Sequence, residues 1–329
     1  MNSKKRYLTK SKFKEGLECP TKLFYSQNSE YLNKQQENSF LEALAEGGYQ
    51  VGELAKFLIS EAPYKENITV DTLDTTKAID ETLNRLESAS AKIAEAAFNY
   101  QDLLIRVDLV VKNGSQIDLY EVKSKSWGYE SVDDVANSEF IKTMKRGKKK
   151  GKQVIDSIWK PYLYDIAFQR YVVKKLYPNH RVKAHLILAD KSATSTIDGL
   201  NQFFKIQNLE GRKSIIVNKN LTRSDLGQIP LKVINVDFEC NFVEQLNVGD
   251  DSFESLIIKL TNIYTKNQRV WRKIDHGCFN CQYRNNNQEG KKSGFHECME
   301  HAGYSLKNKD PFVEEIWRGT KKKRTLATF

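Results

Sequence analysis

The chain has 329 residues, is 40% hydrophobic and 29% charged, and carries a formal charge of +10. This composition suits one large folded domain or two small ones, and five cysteines are too few for a disulfide scaffold. No apolar run approaches a membrane span and M-N-S-K-K-R-Y-L-T-K lacks a secretory apolar segment, so a cytoplasmic protein with polyanionic partners is expected, against the plainer reading of a basic but inert surface.

Residues 9–28 predict a short helix broken at Pro20. Residues 38–60 place Phe40, Leu44, Val51, Leu54 and Leu58 at helical spacing, in a helix weakened by Gly47, Gly48 and Gly52; another helix is expected over 75–91. Residues 93–100 read as a strand. Residues 103–112 and 116–123 are strands flanking Asn113-Gly114, a strong hairpin signal. An amphipathic helix over 155–177 and a strand over 182–190 follow. Residues 200–248 read as strands and loops, with Cys240 a core thiol on an alternating strand, and 250–268 as a helix. No G-x-x-x-x-G-K-[ST] loop occurs, which excludes a P-loop motor.

With Asn113-Gly114 as a two-residue loop, Lys112 faces Ser115 and Asp108 faces Leu119. The period of two then puts residues 119, 121 and 123 on one face with Asp108, and Asp118 on the other. Asp108 and Glu121 can together hold a hard divalent ion, Mg2+ or Mn2+, with the Val122 carbonyl as a further oxygen ligand. Lys123 would orient a water or steady phosphoryl oxygens. The same residues also suit ordinary salt bridges on an exposed sheet face.

The order D…E-V-K-S after an Asn-Gly hairpin, with a helix before it and a helix and strand after it, resembles the PD-(D/E)XK nuclease superfamily, and most nearly its RecB-like branch. The resemblance implies an α/β, restriction-endonuclease-like core (helix, three strands, helix, strand) that hydrolyses DNA with Mg2+ or Mn2+. That branch carries a glutamine near a tyrosine on the following helix, which P-Y-L-Y-D-I-A-F-Q-R-Y-V-V supplies as Gln169 and Tyr171. Tyr162, Asp165 and Gln169 share a helical face, with Asp165 reading as a wet helix edge. The branch's first-helix G-x-x-x-H is missing, because Gly52 stands four residues after Gly48; Glu46 or Glu53 would substitute.

Cys278, Cys281 and Cys298 cluster late in the chain and Cys19 stands early, in L-E-C-P-T-K-L-F-Y. This placement resembles the iron–sulfur nucleases: the CRISPR-associated RecB-like exonucleases and the AddB nuclease domain. The resemblance implies a [4Fe–4S] cluster on these four thiols, joining the N- and C-terminal regions. A structural Zn2+ on the same thiols, with His276 or His296 involved, is the alternative. The expected organisation is a single nuclease domain: a helical part over 1–92, a catalytic core over 93–190, a strand and helix extension over 191–270, and the cysteine cluster with a basic tail over 271–329.

The run over 142–152 contains Lys145, Arg146, Lys148, Lys149, Lys150 and Lys152. It reads as a solvated loop or, beside a phosphodiester site and with Tyr171, as a binding element for single-stranded DNA or duplex ends. Two rival functions stand beside the nuclease. One is a catalytically weak, nuclease-fold scaffold within a larger defence or repair complex; the other is a zinc-stabilised RNA-processing factor.

Overall fold

The computed structural model describes residues 5–34, 39–61, 64, 68–128, 139–147, 150–209, 212–285 and 290–304. They fall into two compact units, one drawing on Glu15–Leu41 and the chain from Lys259, the other on Tyr7–Lys14 and Glu42–Ile258. Among the described residues no helix is long and apolar enough to cross a membrane.

The larger unit is α/β, with a mixed sheet. In chain order its main elements are β1 (Leu8–Thr9), α1 (Lys10–Glu18, of which the first half belongs here), α3 (Ser39–Ile59), α4 (Thr75–Leu86), β2 (Ser90–Tyr100), β3 (Leu103–Asn113) and β4 (Gln116–Trp127). Then come β5 (Ile141–Thr143), β6 (Gln153–Ile155), α5 (Lys160–Leu176), β7 (Arg181–Asp190), β8 (Phe204–Leu209), β9 (Arg212–Val217), β10 (Leu231–Asn235) and α6 (Asp237–Gln245). Strand order is β1-β3-β4-β7-β10, with β2 on the remaining edge of β3. The pairs β1/β3 and β4/β7 are parallel and the others in this sheet antiparallel.

The hairpin register differs from expectation. Asn113 pairs with Gln116 and Leu109 with Tyr120, so the loop is Gly114-Ser115 and the ladder is shifted by two residues. Gly114 takes φ +56°, a conformation glycine adopts without a Cβ clash, whereas Asn113 stays in the strand. A shift of two preserves side-chain parity, and on this register Asp108 stands opposite Glu121 rather than Leu119.

One edge of β3 is shared. β1 pairs with Leu103 and Leu104, and β4 pairs from Leu109 to Asn113, which leaves residues 105–108 as a fork between them. α1 begins at Lys10, immediately after β1, and so enters beside this fork. Phe13 on α1 stacks on Phe168 of α5 with ring centroids 4.4 Å apart, and such pairs add about 0.5–1.5 kcal/mol to area burial.

α5 is enclosed nearly all round rather than amphipathic: Leu163 to Arg170, Val172 and Val173 are buried. Pro161 in its first turn fits the unbonded N–H positions there. A helix enclosed on all sides must bond most of its polar groups internally, and Asp165, the Gln169 amide nitrogen and Arg170 do so. Cys240 is buried as expected, but on α6 rather than on a strand, because the strand ends at Asn235 and Asp237 opens a helix.

The smaller unit contains α2 (Pro20–Tyr25), a single turn over His276–Asn280 and α8 (Gly294–His301), and packs an aromatic cluster of Tyr25, Tyr31 and Tyr283. A Cβ on Gly294 would meet the Tyr25 ring at 2.7 Å, so glycine permits α8 to approach this closely. α7 (Phe253–Thr265) supplies its C-terminal half to this unit, where the Tyr264 carbonyl accepts from Gln27 Nε2 at 2.9 Å.

Candidate active site

The fork in the larger unit gathers three carboxylates, three amines and one amide. Lys10 Nζ lies between the two expected ion-binding groups, 3.2 Å from Asp108 Oδ1 and 3.1 Å from Glu121 Oε2. Lys123 Nζ bonds Glu121 Oε1 and stands 3.8 Å from Asp165 Oδ2. Gln169 Nε2 donates to Glu121 Oε2 at 2.7 Å and to Asp165 Oδ1 at 3.0 Å. One helical turn beyond Lys10, Lys14 donates to Asp165 Oδ2 at 2.8 Å. Asp108, Glu121, Lys123 and Gln169, singled out by sequence, are thus brought together.

Local backbone irregularities make room for them. The β3/β4 ladder stops at Leu109 and Tyr120, and Asp108 Oδ2 then accepts the Val122 N–H at 2.8 Å. Val122, the expected carbonyl ligand, therefore contributes its amide to orienting Asp108. The β4/β7 register slips between Lys123 and Ser126, just past the E-x-K segment. β2 and β3 pair on both sides of Glu95 and Asp108 but not at them, and Glu95 holds φ +56°. That conformation costs a non-glycine residue on the order of 1 kcal/mol.

Electrostatics separates the two facing carboxyls. Burial and the Glu121 charge push Asp108 up to about 6. Burial acts similarly on Glu121, but Lys10, Lys123 and the Gln169 hydrogen bond outweigh it and hold that carboxyl well below the usual range. In return the carboxylates raise Lys10 and Lys123 against the effect of burial. Gln169 is fully enclosed and its Oε1 has no hydrogen-bond partner among the described residues, leaving an oxygen acceptor unused there.

Three members of this cluster, and Glu95 beside it, escape the sequence reading. Asp165 is fully enclosed, not a wet edge. Lys10 and Lys14 sit in T-K-S-K-F-K, where their spacing of four on a helix reads equally well as a solvated face. Glu95 is partly buried, and burial raises its carboxyl while Lys10, Lys56 and Arg106 oppose that and Glu121 adds to it. Of the substitutes for the missing histidine, Glu53 is engaged by Lys56 at 2.8 Å and the Tyr64 hydroxyl at 2.6 Å; the Glu46 side chain lies outside the described residues.

Other expected residues lie apart from these carboxylates. Tyr171 donates its hydroxyl to Glu254 at 2.9 Å. Lys145, Arg146, Lys150 and Lys152 are exposed between the paired β5 and β6; Lys148 and Lys149 lie outside the described residues. Asp118 bonds His185 Nε2 at 2.9 Å and Gln116 Nε2 at 2.7 Å, away from the cluster.

In the smaller unit Cys19, Cys278, Cys281 and Cys298 line one cavity of about 580 Å3, with Lys22 and Arg272 beside them. None of the four is in a disulfide. Tyr25 Oη lies 3.3 Å from Cys298 Sγ, and the Asp275 N–H donates to Cys278 Sγ at 3.5 Å. Burial raises the Cys281 thiol and pushes Cys298 up to about 11, with the neighbouring thiols adding to both shifts. Among the described residues, no three His, Cys, Asp or Glu side chains converge closely enough to hold a single ion as they stand.

Searches for similar proteins return no matching family model, no matching curated protein and no matching solved structure.

Proposed function

We propose that this chain is a metal-dependent DNA nuclease with a PD-(D/E)XK core of the RecB-like kind. The observation that supports it most strongly is the pair Asp108 and Glu121, both facing a single cation, Lys10 Nζ, with Lys123 and Gln169 bonded to Glu121. The donor set suits Mg2+ or Mn2+: hard carboxylate oxygens and the unpartnered Gln169 Oε1 nearby. When bound, the divalent ion supplies Lewis acidity, neutralising charge that builds on a phosphodiester.

The chain's own groups do the rest. Val122 N–H and Gln169 Nε2 fix the two carboxylates, and Lys123 presents a positive charge for a phosphoryl oxygen or an attacking water. In the hydrolysis, water oxygen bonds to phosphorus and the bond from phosphorus to the 3′ oxygen breaks. One water proton ends on that oxygen, giving a 5′-phosphate and a 3′-hydroxyl. The exposed basic hairpin tip would hold the DNA backbone without reading sequence.

Cys19, Cys278, Cys281 and Cys298 would hold a [4Fe–4S] cluster as a clasp within their unit. An all-thiolate set of four lining one cavity is the donor chemistry of an iron–sulfur cluster. A structural Zn2+ on the same thiols is the alternative.

A second reading, a DNA-binding subunit without turnover, is favoured by the same Lys10: an ammonium already neutralises the carboxylates. Anaerobically purified protein tested on labelled single-stranded DNA, duplex DNA and RNA, with Mg2+, Mn2+ or a chelator, separates the readings. The nuclease cleaves DNA and stops when chelated; binding without cleavage supports the scaffold, and RNA cleavage alone supports the processing factor.

A further inference from the structure

We propose that Lys10 is a displaceable stand-in for the divalent ion, which moves onto the scissile phosphate when the ion enters. This rests on the nuclease reading and assigns Lys10 a catalytic role within it. Lys10 Nζ touches Asp108 Oδ1 at 3.2 Å, Glu121 Oε1 at 3.3 Å and Glu121 Oε2 at 3.1 Å. Val122 N–H holds the other oxygen of Asp108, so Lys10 sits on the one turned into the fork.

A divalent ion draws its oxygen ligands to about 2.1 Å and cannot share these oxygens with an ammonium seated between them. One of the two cations must leave, and Lys10 is able to. Its stem is four flexible carbons, its head is a compact and strongly hydrated charge, and its side chain is only partly buried, keeping 23% exposure. Lys123 keeps Asp165 as a second neighbour, and Lys14 is bonded to Asp165, so the charges around the ion are not stranded when Lys10 withdraws.

The gain on withdrawal is a second positive group for the reaction. A phosphodiester brought to the ion is the nearest new anion, and an ammonium released beside it would stabilise the charge that develops on the phosphoryl oxygens. Until DNA and metal arrive, the same residue keeps a fully enclosed glutamate neutralised, which a buried carboxylate requires. The fixed anchor is Phe13, stacked on Phe168 three residues along α1, which holds the backbone at Lys10 in place while the side chain moves.

The test uses the full-length protein with Mn2+ alone as the probe, by paramagnetic resonance titration, and single-turnover DNA cleavage at saturating Mn2+. Lys10→Met removes the competitor and should bind Mn2+ about tenfold more tightly, while cleaving about a hundredfold more slowly. These opposite changes separate the proposal from a structural role, which would weaken both. If Lys10→Met does not fold, Lys10→Arg serves: it keeps the charge, should not bind Mn2+ more tightly than wild type, and should cleave within about tenfold of it. Mn2+ binding by Lys10→Met that is unchanged or weaker, or wild-type cleavage in that variant, overturns the proposal while leaving the nuclease reading intact. So does a hundredfold loss of cleavage in a folded Lys10→Arg. A wild-type protein that binds no Mn2+ and cleaves nothing overturns both.

Discussion

In the larger unit Glu121 is fully enclosed, yet Lys10, Lys123 and Gln169 all bond it. In the smaller unit four thiols surround a cavity, and burial with mutual repulsion raises at least two of them. The first site is assembled from internal charge pairs before any ligand arrives. On the proposed reading the second would gain cohesion from the metal that fills it, since metal-binding energy then doubles as folding energy. Losing a ligand residue should therefore damage chemistry at the first and folding at the second.

The sharpest break of that contrast is Cys19→Ser. A bound metal joining Cys19 to Cys278 closes a very long loop, worth on the order of 5 kcal/mol by analogy with disulfides. The variant should lose brown colour, iron and sulfide together with solubility, whereas Cys240→Ser, altered at a buried site on α6, should keep its iron. About one zinc and no iron in anaerobically prepared wild type would replace the cluster by zinc and keep the clasp.

A smaller effect is expected at the β5/β6 hairpin tip. Neutralising Lys145, Arg146, Lys150 and Lys152 should weaken DNA binding alike for all sequences. The logarithmic salt dependence should flatten by up to about 0.9 for each duplex phosphate that is no longer neutralised. Cleavage at saturating DNA should change less, and an unaltered slope would mark the tip as solvated surface only.

The smallest effect sharpens the comparison within one hairpin. Asp118→Asn loses its charge toward His185 and should lower stability by about 1–3 kcal/mol. Single-turnover cleavage should stay near wild type, because among the described residues Asp118 bonds Gln116 and His185 rather than the fork. A large loss of cleavage at unchanged stability would place Asp118 in the site.

The hairpin was legible because Asn-Gly between apolar runs has few other uses, and the placing of Asp108 and Glu121 on one sheet face survived a two-residue register error because parity is preserved. Lys10 was not legible. Its bonds to Asp108 and Glu121 span 98 and 111 residues of sequence, and nothing in T-K-S-K-F-K marks which lysine turns inward. Asp165 was misread because a helix enclosed all round carries no polar face, so spacing could not show which side met solvent. Glu95 depends on a left-handed backbone that no local residue pattern announces.

The central claim is that Asp108 and Glu121 together hold a catalytic divalent ion. The most direct measurement is single-turnover cleavage of labelled DNA in Mg2+ or Mn2+ by wild type, Asp108→Asn and Glu121→Gln, each checked for an intact fold by thermal melting. Wild type should cleave only with the divalent ion, and each variant should be slower by about a thousandfold or more, the loss of several kcal/mol of charge stabilisation. Cleavage that persists in chelator, or a folded Glu121→Gln that cleaves as fast as wild type, would contradict it.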